Sequence, residues 1–240
     1  MPSFNNFKDL KDSVCSIQNQ TFKDYEVWII DNASTDGTID YLQTLKKPFY
    51  WKSEPDKGIY DAMNKGISLS KGSWLYFLGT DDQLFDKTTF FTIFSKQIAD
   101  KTKLIIGRIM YDLKKEDIIY THNKGLIIPS WSKKLWIKNS IHHQGAFYKR
   151  ELFTNHKYDL KYSILADYAL NLHLYKKKVK VKVIDVIIAL CGTDGVSKKH
   201  HWNMYKEEIN LKVNESSNLF KPMFITIAYF KYLLKKAKFI

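Results

Sequence analysis

The chain has 240 residues, 45% of them hydrophobic and 26% charged, a composition that excludes disorder, collagen-like repeats and a disulfide scaffold. Its net charge of +13 is uneven: residues 1–120 carry 16 basic and 17 acidic side chains, and residues 121–240 carry 22 and 8. A basic half implies a polyanion nearby, whether nucleic acid, an anionic membrane surface or a phosphorylated substrate.

The first hundred residues alternate between short apolar runs and amphipathic segments. A helix is predicted over 6–20, with Leu10, Val14 and Ile17 on one face, and a strand over 25–31 that ends on Asp31. A helix over 36–45, a strand over 49–52, a helix over 58–70, a strand over 73–78 and a Phe-rich helix over 86–99 follow. Strands alternating with helices of this size indicate βα units on a parallel sheet, and their continuous apolar character indicates a sheet covered on both faces. After residue 100 the pattern changes. A hairpin is predicted from 104–111 and 117–121, then a strand over 145–148, a helix over 164–175, a β-rich run over 179–190 and a helix over 202–213. One α/β domain over 1–200, with a helical basic extension over 201–240, is the expected organisation.

In an open α/β sheet, ligands bind at the carboxyl ends of the strands, and acids stand at two of those ends. Asp31 opens the run Asp31-Asn32-Ala33-Ser34-Thr35-Asp36-Gly37-Thr38, where it can accept hydrogen bonds from a nucleobase or sugar; Ser34 and Asp36 read first as helix caps. Gly79-Thr80-Asp81-Asp82 follows the third strand. Two adjacent carboxylates repel unless a cation sits with them, and Mg²⁺-like ions share such oxygens with substrate phosphates. Between them lies Glu54-Pro55-Asp56-Lys57-Gly58-Ile59-Tyr60-Asp61-Ala62-Met63-Asn64-Lys65-Gly66. There Gly58 permits a tight turn, Asp56 and Lys57 border the crevice or cap the helix, and Asp61 and Asn64 brace the loop.

These three segments, in this order, resemble family 2 glycosyltransferases of the GT-A fold, in particular the bacterial branch that builds surface polysaccharides; the resemblance covers roughly residues 2–197. It implies a Rossmann-like, mostly parallel sheet flanked by helices. By the same resemblance Pro2, Ser3 and Phe4 belong to the loop that cradles the nucleotide, and Asp31 reads the nucleobase. Asp56 is a further nucleotide-side acid, beside Lys57 and Gly58. Asp82 is the metal ligand of a variant DXD motif, with Asp81 nearer the ribose or diphosphate. Asp167 resembles the general base of inverting members; read from the residues alone, it is a helix-capping acid. His143 and Gln144 resemble an H-Q element that touches diphosphate or acceptor, and Ser197 ends a loop that closes over the donor. The family's first strand is apparently missing, with Met1 standing where that strand should end.

The function implied is inverting transfer of a hexosyl or N-acetylhexosaminyl group from a nucleotide-diphosphate sugar, UDP by family habit, with Mn²⁺ or Mg²⁺. The acceptor is a hydroxyl of a saccharide or a lipid-linked acceptor. The alternatives are a non-catalytic basic protein that binds membrane or nucleic acid, and an inactive truncated remnant. Nucleic acid is disfavoured, because no recognition motif accompanies the charge.

Cys15 and Cys191 lack metal-ligand spacing and fit a reduced, cytoplasmic setting. No basic-then-apolar leader opens the chain, so no signal peptide is expected. Residues 219–240 contain five Lys and no acid, with Lys231, Lys235 and Lys238 at helical spacing. Two readings stand: a basic amphipathic helix on an anionic inner-membrane leaflet, and a helix packed on the catalytic domain with its lysines exposed.

Overall fold

The computed structural model describes residues 1–95, 97–112, 125–193 and 202–237. Two sheets share one α/β body. The first is parallel, in the order β1 (Pro2–Ser3), β2 (Val27–Asp31), β3 (Phe49–Ser53). Its connections are the helices α1 (Phe7–Gln18) and α2 (Thr38–Thr44). The predicted 3.6-residue spacing is the reason α1 forms: Leu10, Val14 and Ile17 fall on one face and are buried against Val27 and Ile29. Each such side chain contributes about 1.5–3 kcal/mol on leaving water.

The first strand is therefore present, as a two-residue stub. Ile30 N–H donates to Met1 O at 2.8 Å and Asn32 N–H to Ser3 O at 2.9 Å, the ladder of a parallel pair. Beyond Met1, between β2 and the segment Trp74–Tyr76, lies a cavity of about 430 Å³ bordered by Val27, Trp28, Met63, Ile67 and Leu75.

The second sheet is mixed rather than mostly parallel. Its order is β4 (Trp74–Tyr76), β8 (Ala146–Lys149), β6 (Leu104–Tyr111), β9 (Val181–Cys191), β5 (Gln83–Leu84). Among the described residues, only its β6–β9 pair is parallel. The hairpin partner of β6 is β7 (Leu126–Ile127); the strand predicted at 117–121 lies outside the described residues. Helix α3 (Ile59–Leu69) covers β2, α4 (Thr89–Phe94) follows β5, and α5 (Ala166–Lys176) packs Tyr168, Leu172 and Leu174 into the core with Tyr148 and Leu104.

Beyond the boundary expected near residue 200, the described chain packs back on the α/β body. Helix α6 (Trp202–Glu215) sends Leu211 into the same core as α5. The Glu207 carboxylate accepts from Ser163 N–H, Ile164 N–H and Leu165 N–H at 2.8–3.1 Å, closing the turn that leads into α5. Helix α7 (Lys221–Ala237) then lies on α6, with Phe224 and Ala228 buried against Tyr205 and Ile209. Among the described residues, no helix is long and apolar enough to cross a membrane.

Candidate functional site

Strand register brings Ser3, Asp31 and Ser53 side by side at the carboxyl edge of the parallel sheet. The Asp31 carboxylate turns inward. It is 0% exposed and accepts from Ser34 N–H at 2.9 Å, Ser34 Oγ at 2.5 Å and Ser53 Oγ at 2.7 Å. Contact with a nucleobase is the role expected of it; in the structure its oxygens hold the turn after β2 to the end of β3. Ser34 Oγ in turn accepts from Asn5 N–H at 2.8 Å, and Asp36 accepts from Phe7 N–H at 2.9 Å and Thr38 N–H at 3.1 Å. The loop after β1 is thereby fixed to the loop after β2. On it Pro2 is half-buried, Phe4 is 58% exposed, and Ser3 Oγ is buried without a hydrogen-bond partner among the described residues.

Asp56 joins this edge through its backbone, which donates to Asn32 Oδ1 at 2.7 Å, while its carboxylate accepts from Gly58 N–H at 2.8 Å. Burial raises the Asp56 carboxyl above the usual range, against that hydrogen bond and Lys65. Gly58 has φ +109°, a conformation L side chains rarely adopt, and from it the chain turns into α3. Lys57 is exposed, and its N–H donates to Asp61 Oδ2 at 3.0 Å. Asn64 clamps Tyr158 by both backbone groups at 2.9 Å, so Asp61 and Asn64 brace the loop.

Asp81 and Asp82 differ in environment. Asp82 is 2% exposed and accepts from Gly79 N–H at 3.0 Å, Gln144 Nε2 at 2.9 Å and Gly192 N–H at 3.1 Å. Asp81 is half-buried and packs against Gly192, where a Cβ would stand 2.5 Å from Asp81 Oδ2. The structure thus makes Asp82 the braced carboxylate and Asp81 the more accessible one. Ser13 Oγ, buried in α1, lies 2.8 Å from Thr80 O and in contact with Asp82 O, and so anchors the segment from behind.

Asp167 enters from the first turn of α5 and is 7% exposed. Its Oδ1 accepts from Tyr60 OH at 3.2 Å and Tyr168 N–H at 2.7 Å, and its Oδ2 is 3.2 Å from His143 Nδ1. Tyr60 OH also lies 2.7 Å from Ile164 O, so its one proton is shared between the two acceptors; burial, then the Asp167 charge, pushes its phenol far above the usual range. His143 and Gln144 are adjacent, so Asp167, His143, Gln144 and Asp82 form one connected line across the site. Ser197 lies outside the described residues, as do His200, His201 and Lys238.

Tyr60 and Gly192 were not singled out from the sequence. Tyr60 sits inside the quoted segment after Gly58, but its partner is 107 residues away, and only the fold brings them together. Gly192 opens the segment that ends at Ser197, and that position was its one signal.

The model of glycosyl transferase family 2 matches residues 1–156. A Mycobacterium bovis protein, "PGL/p-HBAD biosynthesis glycosyltransferase", is 32% identical over 196 residues, 79% of this chain and 73% of that one. The structure of S. aureus TarS in complex with UDP-GlcNAc superposes with a TM-score of 0.68 at 14% identity, over 95% of this chain and 68% of that one. The mannosyltransferase PcManGT from Pyrobaculum calidifontis, solved with GDP-Man and Mn²⁺, gives 0.64 at 16% identity, over 99% and 73%. The two structures establish the GT-A fold. The family match, together with the M. bovis relative, establishes that this chain belongs to glycosyl transferase family 2.

Proposed function

We propose that this glycosyltransferase moves a hexosyl or N-acetylhexosaminyl group, with inversion, from a UDP-sugar to a hydroxyl of a saccharide or lipid-linked acceptor. The setting is bacterial surface-polysaccharide synthesis, at the cytoplasmic face of the membrane. The observation that carries this reading is the line from Asp82 through Gln144 and His143 to Asp167. It links an acidic, metal-type corner to a second, separate carboxylate.

The residues fit a hard divalent ion. Two adjacent carboxylates supply oxygen donors. Among the described residues no group of three or more His, Cys, Asp or Glu forms, and Mg²⁺-type ions take one or two carboxylates and complete their shell with water and substrate phosphates. Asp81, the more accessible carboxylate, would hold the ion or the diphosphate directly, and Asp82 would fix the corner. When bound, the ion offsets the charge developing on the leaving diphosphate.

The chain's own residues do the rest. Pro2, Ser3 and Phe4 line the donor side, where the exposed Phe4 ring offers a stacking surface to the base. Asp56, Lys57 and Gly58 border the nucleoside, and Asp31 supports both loops from beneath. Asp167 takes the proton from the acceptor hydroxyl as its oxygen bonds to the anomeric carbon and the bond to diphosphate breaks. One carboxylate suffices for such an inverting displacement. An ionised carboxylate only accepts hydrogen bonds, so His143 Nδ1 carries a proton toward Asp167 and holds it in place.

The test is calorimetric titration of UDP with Mn²⁺, beside turnover on a panel of UDP-sugars, for the wild type, Asp81→Asn and Asp167→Asn. Metal-dependent UDP binding that weakens in Asp81→Asn, with turnover lost but binding kept in Asp167→Asn, supports the reading. Unimpaired turnover in Asp167→Asn overturns the base assignment, and absence of metal-dependent UDP binding overturns the donor assignment.

A further inference from the structure

Helix α7 is amphipathic in the opposite sense from the one its lysine spacing suggests. Lys231 points inward: its Nζ contacts Glu208 Oε1 at 2.5 Å and Oε2 at 2.7 Å, and donates to Ile137 O at 3.2 Å. Lys212 of α6, 2% exposed, reaches the same carboxylate and the same carbonyl. Phe224 stacks on Trp136, and Tyr232 meets Trp202 and Tyr205 edge-on. The inward face of α7 is thus a mix of aromatic rings and a clamped lysine.

The outward face is apolar. Met223, Ile225, Tyr229, Phe230, Leu233 and Leu234 are 40–65% exposed. Leu219 just before the helix is 80% exposed, and Ile137 on the neighbouring turn is 54% exposed. An apolar stripe running the length of a helix of about 25 Å is not an ordinary monomer surface. Its rim is basic: Lys221 and Lys236 at the ends of the helix, and Lys133, Lys134 and Lys138 on the turn that carries Trp136, are all exposed. Residues 216–240 contain no acid.

We infer that the outward face of α7 seats on an anionic lipid surface, with Phe230 and Leu234 entering the boundary between headgroups and acyl chains and the lysines meeting lipid phosphates. Charge selects the occupant. Two copies of this face would bring two rows of lysines together with no acid between them, whereas a negatively charged leaflet complements both the apolar stripe and its rim. The inference deepens the acceptor side of the proposed function and rests on it: a lipid-linked acceptor would be met at the leaflet. The Glu208 clamp orients the stripe, because it keeps Lys231 on the protein side.

The test is co-sedimentation of the full chain with vesicles of phosphatidylcholine alone and of phosphatidylcholine mixed with phosphatidylglycerol. Binding is expected on the mixed vesicles only and should weaken with salt. The exposed double variant Phe230→Ser/Leu234→Ser should bind about tenfold less or weaker still, and Lys133→Gln/Lys134→Gln/Lys138→Gln should lose the preference for anionic lipid. A wild type that stays in the supernatant with both vesicles overturns the inference. So does a Phe230→Ser/Leu234→Ser variant that binds unchanged, or light scattering that shows a dimer which this variant dissociates. Metal-dependent UDP binding, measured on the same variants, reads the donor site separately, so failure at the membrane and failure of the donor reading are distinguishable.

Discussion

His143 Nδ1 stands 3.2 Å from Asp167 Oδ2, joining a residue just before β8 to the first turn of α5. The contact gives the carboxylate one fixed orientation, and Tyr60 fixes its other oxygen. Asp167→Asn should lower kcat by about 10²–10⁴-fold and leave UDP affinity unchanged. His143→Ala and Tyr60→Phe should each cost less, because the base remains. Steady-state kinetics beside UDP titration checks this, and a loss of UDP binding in Asp167→Asn would contradict it.

Gly192 packs against Asp81, with a virtual Cβ 2.5 Å from Oδ2 and 3.0 Å from the Asp81 carbonyl oxygen. Gly192→Ala must move that carboxylate or the segment carrying it. Mn²⁺-dependent UDP affinity should fall by roughly 10–100-fold, as it does when the support of a metal ligand is disturbed, while the melting temperature changes little. Unchanged affinity would show that Asp81 does not serve the donor.

Glu208 is 5% exposed and neutralises two lysines. Burial lowers the Lys212 pKa although the Glu208 charge opposes it. Glu208→Gln leaves Lys212 buried without its counter-charge, and breaking such a pair costs about 3–5 kcal/mol. The sign with pH follows. Between the lowered folded pKa of Lys212 and the ordinary lysine range, the unfolded chain binds more protons, so stability rises with pH there. Urea unfolding of Glu208→Gln should therefore show a deficit that shrinks as the solution is made alkaline.

Glu26 holds the turn before β4. Burial alone would raise its carboxyl, but hydrogen bonds from Lys71 N–H, Gly72 N–H and Trp28 Nε1, together with the Arg150 charge, bring it below the usual range. Its contribution is present above the unfolded pKa and is lost as pH falls through the folded one. Thermal melts of the wild type and Glu26→Gln should differ at neutral pH and converge in acid below about pH 4. A constant gap across that range would show that the carboxylate charge is not involved.

Much of the frame was legible because it follows from local periodicity. The predicted helix over 6–20 contains α1, and the predicted strand over 25–31 contains β2. What escaped were orientations and distant partners. Asp31 stands at a strand end as expected, but only the register with Ser53 and the turn at Ser34 show that its carboxylate faces inward. Adjacent acids read alike in sequence; Asp82 becomes the buried one because Gln144 and Gly192, 62 and 110 residues away, supply its donors. The lysine spacing of α7 was visible, yet Glu208, which turns Lys231 inward, lies on another helix.

The two halves of the site are spanned by a single peptide unit, because His143 and Gln144 are neighbours in the chain. Consecutive Cα atoms stand about 3.8 Å apart whatever surrounds them, so this rung of the bridge is a covalent length, and core packing does not set it. Substitutions that loosen the aromatic core around Phe147 should lower the melting temperature yet leave that rung unchanged. Inserting one residue between 143 and 144 would lengthen it and separate donor binding from acceptor activation in a protein that still folds.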